Sequence, residues 1–424
     1  MHARLVALGG RGLRIRRLGA TRAGEIRLTR FLRNGAVSPE AMLAEAARGV
    51  SERCAGRRVL AIQDTTVVRS DGGGSGLYLH VALAVDAESG AILGLTDAVF
   101  LKRGQGKKAA RRSTPMQAKQ SQRWIDGAVR SAQACQGAAK VTHMADREAD
   151  IFGLFARRPE ATELLIRAEH DRALEGGKRL FAAADAQPIA GRAVIELPAG
   201  PGRKARKVQL AARFMSASIA RPNNGLVEDL PRSLPVTLVD IREETAPGGG
   251  QTPLHWRLIT THQVTNAAEA FAVANLYRRR WAIEQLFRTL KTKGFDIEGV
   301  LIEDEAPLCN LVMAALIAAV TIQQLVHARE GDDAPGPLRP LTDAFEPEDQ
   351  PLLKAFSAQL EGKTQRQKNP HPNGSLAYGA WVCARLGGWT GYYGKPGPVV
   401  MLQGWLYFQA AKHGAQITPH LRDV

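Results

Sequence analysis

Apolar and polar positions alternate strictly along Leu77 to Asp86. Leu77, Leu79, Val81, Leu83 and Val85 lie on one side; Tyr78, His80, Ala82, Ala84 and Asp86 lie on the other. A period of two predicts a half-buried strand. The glycines at 72–74 mark a turn before it, Glu88-Ser89-Gly90 a hairpin turn after it, and Ala91 to Phe100 the next strand. Upstream, Val59-Leu60-Ala61-Ile62 reads as a buried strand ending at Gln63-Asp64, preceded by a helix from Pro39 to Glu52. Downstream, residues 117–135 read as a helix, Val141 to Ala145 as a strand ending at Asp146, the text from about Ala149 as a helix, and Leu164-Leu165-Ile166 as a strand. Residues 172–262 change character. Short alternating runs (Ala193 to Leu197, Val208 to Phe214, Val236 to Ile241, Trp256 to Thr260) lie between Pro/Gly turns, which predicts a β-rich block. A long helix is expected from about Ala267 to Lys293, two or more helices before Glu330, a linker at Gly331–Pro340, and a partly helical end with a Gly/Pro-rich stretch at Gly387–Pro398. Residues 1–35 are Arg- and Gly-rich with little periodicity, as in a DNA-contacting arm or a ragged chain end.

Composition narrows the class. Of 424 residues, 45% are apolar, enough for a large core. Lys plus Arg number 57 against 41 Asp plus Glu, a net charge of +16, which points to a polyanionic partner. Cys54, Cys135, Cys309 and Cys383 are far apart, with no C-x-x-C pair, so buried reduced thiols are expected rather than a zinc site or disulfide framework. The first residues carry no apolar signal-peptide core, and the longest apolar run, Leu311 to Val320, is too short for a bilayer and reads as a buried helix. No membrane association and a cytoplasmic, nucleoid-associated location are expected. The run from Lys102 to Lys108, followed by Arg111 and Arg112, reads as a charged loop without a phosphate-loop signature.

Candidate chemistry rests on carboxylates. Asp64 and Asp146 fall at the ends of predicted strands, where α/β sheets bind ligands. A third, Glu284, falls on the predicted long helix. On a continuous helix Tyr277, Arg280, Glu284 and Lys291 would lie within roughly 60° of one another, beside an apolar stripe of Leu276, Ile283, Phe287 and Leu290. Three carboxylates suit a pair of hard divalent cations, which promote phosphodiester chemistry, and flanking cations suit phosphates. Taken alone, that helix face reads equally well as a solvated surface with a Glu/Arg pair.

The spacing Tyr277-x2-Arg280-x3-Glu284-x6-Lys291, with Ile62-Gln63-Asp64-Thr65-Thr66, Asp146-Arg147-Glu148-Ala149-Asp150-Ile151-Phe152 and Lys119-x-Ser121-x-Arg123-Trp124, resembles the DDE transposases of the insertion-sequence-four type. The resemblance covers roughly residues 28–424. It implies an α/β fold: an RNase H-like core, a mixed five-stranded sheet with flanking helices, interrupted by a β-rich insertion and followed by a mostly helical C-terminal domain. It implies Asp64, Asp146 and Glu284 as catalytic metal ligands for two Mg²⁺ or Mn²⁺ ions. It implies Tyr277, Arg280, Lys291 and Arg288 as DNA contacts, and Trp256 as the holder of a flipped base at a hairpin intermediate. The implied partners are double-stranded DNA, as transposon ends and target, and a second copy in the DNA complex, with Arg366 to Pro398 similar to the family's dimerisation region.

The expected division is 1–50 (a short N-terminal segment), 51–330 (the catalytic core, with its insertion at about 172–262) and 340–424 (the helical dimerisation domain). Residues 1–27 do not resemble the family's end-recognition domain. An N-terminally truncated, non-catalytic DNA-binding inhibitor or decayed copy is therefore the alternative to an active cut-and-paste enzyme. A simple RNase H-like nuclease is disfavoured by Trp256 and the β block, which hydrolysis alone does not need.

Overall fold

A computed structural model describes residues 13–19, 21–72, 75–103, 120–197, 205–223, 229–244, 252–291, 294–329, 331 and 338–421. The strands are β1 (Arg58–Gly72), β2 (Ser75–Asp86), β3 (Ile92–Arg103), β4 (Lys140–Ala145), β5 (Thr162–Arg167), β6 (Gly191–Leu197), β7 (Arg206–Ala220), β8 (Ser233–Glu243) and β9 (His255–Thr260). The longer helices are α1 (Arg22–Leu32), α2 (Pro39–Ala47), α3 (Gln122–Ala134), α4 (Ala267–Arg278), α5 (Trp281–Leu290), α6 (Glu305–Ala328), α7 (Gln350–Leu360), α8 (Leu376–Leu386) and α9 (Pro398–Leu421). This is a mixed α/β chain with a helical C-terminal region.

The chain divides into two compact units: Met1–Arg53, Thr65–Gly104 and Ala282–Val424 in the first, Cys54–Asp64 and Gln105–Trp281 in the second. In the second unit the hydrogen-bonded strand order is β1-β4-β5-β9-β8-β7-β6. β1, β4 and β5 are parallel, and β9, β8, β7 and β6 follow antiparallel. The β-rich block therefore adds its strands directly to the edge of β5. Its core packs Trp124 of α3 and Phe152 and Phe155 of the short helix Phe152–Ala156 with Leu164, Ile166, Leu238 and Ile259 of the strands. Cys54 and Cys135 approach to 3.8 Å between sulfurs, and all four cysteines are free and buried, as expected.

In the first unit β3 and β2 form an antiparallel pair beside the outer half of β1. The hairpin turn lies where the sequence places it: Asp86 Oδ1 accepts from Glu88 N and Ser89 N, and Gly90 takes φ +78°. α6 carries the Leu311–Val320 run and buries 18 residues, so its apolar length is spent inside the chain. Buried Asn310 donates to the carbonyls of Leu32 and Val37, tying α6 to the end of α1.

Four expectations change. The first strand does not stop at Asp64 but runs on through Thr65 and Thr66 to Gly72, because β-branched residues after the acid continue the extended backbone. Within the stretch read as an arm or a ragged chain end, Ile15–Gly19 and Arg22–Leu32 form helices, the second capped by Thr21 Oγ1 on Gly24 N. Of the helices expected between Lys293 and Glu330, the described residues form one α-helix, α6, after a single 3₁₀ turn at Ile297–Gly299. The long helix from Ala267 is broken: α4 ends at Arg278 and α5 starts at Trp281. Arg279 N and Arg280 N bond to Leu276 O and Tyr277 O, three residues back, so the chain tightens there into a turn and the continuous helix is interrupted. Lys119, most of the 102–112 basic loop and most of the 331–340 linker lie outside the described residues.

Candidate active site

Strand register places the first two carboxylates. β1 and β4 pair in parallel from Arg58↔Lys140 to Ile62↔Met144. Two residues further on stand Asp64 and Asp146, neighbours on adjacent strands whose axes are about 4.8 Å apart. Buried Val59 to Ile62 and Val141 to Ala145 hold both strands in the core. The acids emerge at its edge, half-buried, at the C-terminal ends of the paired segments. Asp146 keeps an extended backbone and accepts from Glu148 N at 2.9 Å, opening the 3₁₀ turn Arg147–Ala149.

The segment after Asp146 is pinned from two sides. Arg123, buried on α3, pairs with Glu148 at 2.8 Å. Asp150, 2% exposed, accepts from Glu169 N, His170 N and Arg172 Nε at 2.8 to 2.9 Å. Asp150 thus fixes the loops after β4 and β5 together. The motif around Asp146 was legible in the sequence, but Asp150's role was not, because its partner Arg172 is 22 residues away.

The same register carries Arg167 to the site. β4 and β5 pair up to Ala145↔Ile166, so the next residues are Asp146 and Arg167. Arg167 donates to His255 O at 3.2 Å. Burial and the neighbouring Arg147 and Arg280 depress its pKa, while Tyr277 and Asp146 oppose them. Sequence reasoning missed Arg167; its signal is only that it follows the predicted strand Leu164-Leu165-Ile166, as Asp146 follows Val141 to Ala145. Arg280 Nη1 donates to Asp64 Oδ2 at 3.3 Å. Tyr277 is 5% exposed, and burial raises its pKa against the pull of Arg280 and Arg167. Its hydroxyl feels the Arg280 charge without a geometrically formed hydrogen bond.

Trp256 stands edge-on to Tyr277, with centroids 6.0 Å apart. Its flanking residues explain its direction. His255 and Arg257 both reach Asp240 on β8, at 3.1 and 3.0 Å, so Trp256 between them takes the opposite face of β9. Burial raises the pKa of Asp240, but hydrogen bonds from His255, Arg242 and Arg257 outweigh it and hold the carboxyl well below the usual range.

The second unit therefore brings together Asp64, Asp146, Trp256, Tyr277 and Arg280, with Arg147 and Arg167 added. Glu284, Arg288 and Lys291 belong to the first unit. Glu284 is half-buried in the first turn of α5, whose other face buries Ile283, Leu286, Phe287 and Leu290. Arg288 is exposed, and Lys291 pairs with Glu298 at 2.8 Å. Gln323 of α6 donates to Thr289 Oγ1 at 2.7 Å and fixes the rotation of α5.

Among the described residues no group of three or more His, Cys, Asp or Glu side chains is gathered to hold a metal ion. The donor chemistry fits one nonetheless. Two adjacent carboxylates supply hard oxygen ligands, and one is neutralised by a guanidinium, a cation where a cation is wanted. Two carboxylates on adjacent strands, with arginines beside them, form a site whose chemistry suits metal ions and phosphates. The family model described as the transposase DDE domain matches residues 57–320, more than half of the chain, and the protein belongs to that family of transposases. The family implies DNA as the partner and divalent metal ions as cofactors.

Proposed function

We propose that the protein is a cut-and-paste DNA transposase of the insertion-sequence-four type. In this reading Asp64, Asp146 and Glu284 are the catalytic carboxylates, and the chemistry passes through a hairpin. The observation that carries it is the side-by-side placement of Asp64 and Asp146 with Arg280 on Asp64. These carboxylates would hold Mg²⁺ or Mn²⁺, which supplies Lewis-acid activation of the attacking oxygen and charge neutralisation at the leaving one.

The chain's own groups do the rest. Arg147, Arg167 and Arg280 grip phosphates on either side of the scissile one and balance the charge of the acid pair. Water attacks phosphorus, the P–O3′ bond breaks, and the 3′ oxygen leaves as a hydroxyl after taking up a proton. That hydroxyl then attacks phosphorus in the facing phosphodiester of the opposite strand; the P–O3′ bond there breaks, the flanking strand leaves as a 3′ hydroxyl with the proton, and the new P–O bond closes a hairpin. Trp256, held by the His255/Arg257 clamp, offers its indole face to the base that must leave the stack at the hairpin. Tyr277 supports the indole. Arg288 and Lys291 on the first unit extend the phosphate contacts, and a second copy completes the DNA complex. The non-catalytic alternative gains nothing from the site, since every carboxylate and cation of the motif is present.

The test is a labelled duplex carrying the DNA that flanks the gene, incubated with Mg²⁺ or with EDTA and resolved on a denaturing gel. A metal-dependent nick that converts to a hairpin bears the reading out. A nick with no hairpin reduces the protein to a hydrolytic nuclease, and binding without a nick makes it the non-catalytic form.

A further inference from the structure

Where α5 ends, the chain is tied into a turn. Lys291 N bonds to Phe287 O and carries the helical pattern one residue further. Phe295 N then bonds back to Thr289 O at 3.0 Å, and Asp296 N to Lys291 O at 2.8 Å, closing the end of the helix. The approach is close: a Cβ on Gly294 would stand 2.0 Å from Thr289 O, so only glycine fits. Phe295 and Ile297, 0% and 1% exposed, anchor the turn on either side of Asp296. Asp296 itself takes φ +51°, a left-handed backbone that a side chain disfavours. The 3₁₀ turn Ile297–Gly299 follows and carries Glu298. Arg69 Nη2 holds its far side by donating to Val300 O and Ile302 O at 3.1 and 2.7 Å.

The turn delivers one polar contact to α5: Glu298 Oε1 meets Lys291 Nζ at 2.8 Å. The two side chains are 46% and 22% exposed. So open a pair adds little to stability and does not offset the cost of the left-handed backbone at Asp296. Its effect falls on Lys291. Glu284 and Lys291 stand close to two helical turns apart, on one side of α5 and about 10 Å apart along its axis. A lysine ammonium rides on a flexible stem and loses that freedom when it grips a phosphate. Glu298 removes the freedom beforehand, taking one of the three N–H donors and leaving two. We propose that Glu298 is a positioning residue that orients the Lys291 ammonium for a phosphate near the Glu284 carboxylate. The inference rests on the transposase reading, in which Lys291 contacts DNA. The same carboxylate repels that phosphate, so placement and affinity move in opposite directions when it is removed.

The experiment uses the full-length chain in Mg²⁺, the labelled end duplex, and single-turnover nicking at saturating protein, with anisotropy in EDTA for affinity. Glu298→Ala should slow nicking about tenfold. Its duplex affinity should equal wild type or be up to about threefold tighter. Glu298→Gln keeps an acceptor oxygen and should return the rate to within about threefold of wild type. In a Lys291→Ala background, Glu298→Ala should slow nicking by less than about twofold more, since the group it positions is gone. A merely structural role would instead lower the melting temperature and slow nicking equally in both backgrounds, which overturns the proposal. So does a wild-type rate in Glu298→Ala. Faster nicking in Glu298→Ala overturns it too, because the carboxylate would then restrain Lys291 and not place it. A wild-type chain that does not nick fells the transposase reading and this inference with it; a wild-type chain that nicks without the Glu298–Lys291 coupling fells this inference alone.

Discussion

Arg280 donates to Asp64 across 3.3 Å, and both side chains are about one-fifth exposed. Asp64 is thus paired with a cation, one that must compete with any metal for the same carboxylate. Arg280 also comes from the tight turn that separates α4 from α5, four residues before Glu284. A partly exposed pair of this kind is worth about 1 kcal/mol.

Arg280→Ala should therefore tighten Mn²⁺ binding to the DNA-free protein severalfold, about the factor of five that 1 kcal/mol represents. It should also weaken binding to the end duplex. A Mn²⁺ titration followed by electron paramagnetic resonance checks the first effect. Unchanged or weaker metal binding would mean that Arg280 does not compete at this site.

Asp150→Asn should leave Asp150's neighbours unbalanced, because Arg172 is itself buried and has Asp150 as its ion-pair partner. Breaking a buried pair of this kind costs roughly 3–5 kcal/mol. Urea unfolding should show that loss at unchanged slope. A change within 0.5 kcal/mol, roughly the range of surface substitutions, would show the pair to be dispensable.

Trp256→Ala should slow hairpin formation at least about tenfold more than nicking, with Trp256→Phe partly restoring it. Time courses of both products on one gel decide. Equal slowing of both steps would assign Trp256 to the packing against Tyr277 alone.

Stability should fall as the solution is acidified. Burial, with Arg158 nearby, holds the pKa of His143 down at about 3. Burial also lowers His262 to about 4, with Lys140, Arg58 and Arg158 reinforcing and Glu163 opposing. Both values lie below the ordinary 6.5, so from pH 6.5 downward the unfolded chain binds protons that the folded chain refuses. Stability is full above about pH 6.5 and is lost through pH 4 and toward 3, by up to about 1.4 kcal/mol per pH unit for each histidine. Unfolding free energies of wild type and His143→Leu between pH 7 and 4.5 should diverge, the variant showing the shallower fall. Parallel curves would place the proton uptake elsewhere.

The sequence revealed the strands well because their signal is local. Leu77 to Val85 alternates, and Val141 to Ala145 and Leu164 to Ile166 are apolar runs between turns, so the paired acids could be anticipated from their ends. Three features depend on what lies across the sheet. Whether Asp64 ends β1 is decided by pairing, and a polar Gln63-Asp64 reads as a stop when the neighbouring strand is not in view. The docking of β9 on β5 sets the β block into the main sheet, and no pattern within residues 172–262 encodes that edge. The break at Arg279–Arg280 leaves apolar periodicity nearly intact on both sides, so a continuous helix fits the sequence as well as two. Arg167 and Asp150 share this invisibility: each is an ordinary charged residue until register brings it beside Asp146 or Arg172.

In the proposed reading Asp64, Asp146 and Glu284 perform the chemistry and do not merely support the fold. The most direct measurement is single-turnover nicking of the labelled end duplex by Asp64→Asn, Asp146→Asn and Glu284→Gln in Mg²⁺, with anisotropy on the same samples. A loss of about a thousandfold or more is expected in each variant, while duplex affinity and melting temperature stay near wild type. Nicking at the wild-type rate by any one of them, or loss of folding in all three, would contradict it.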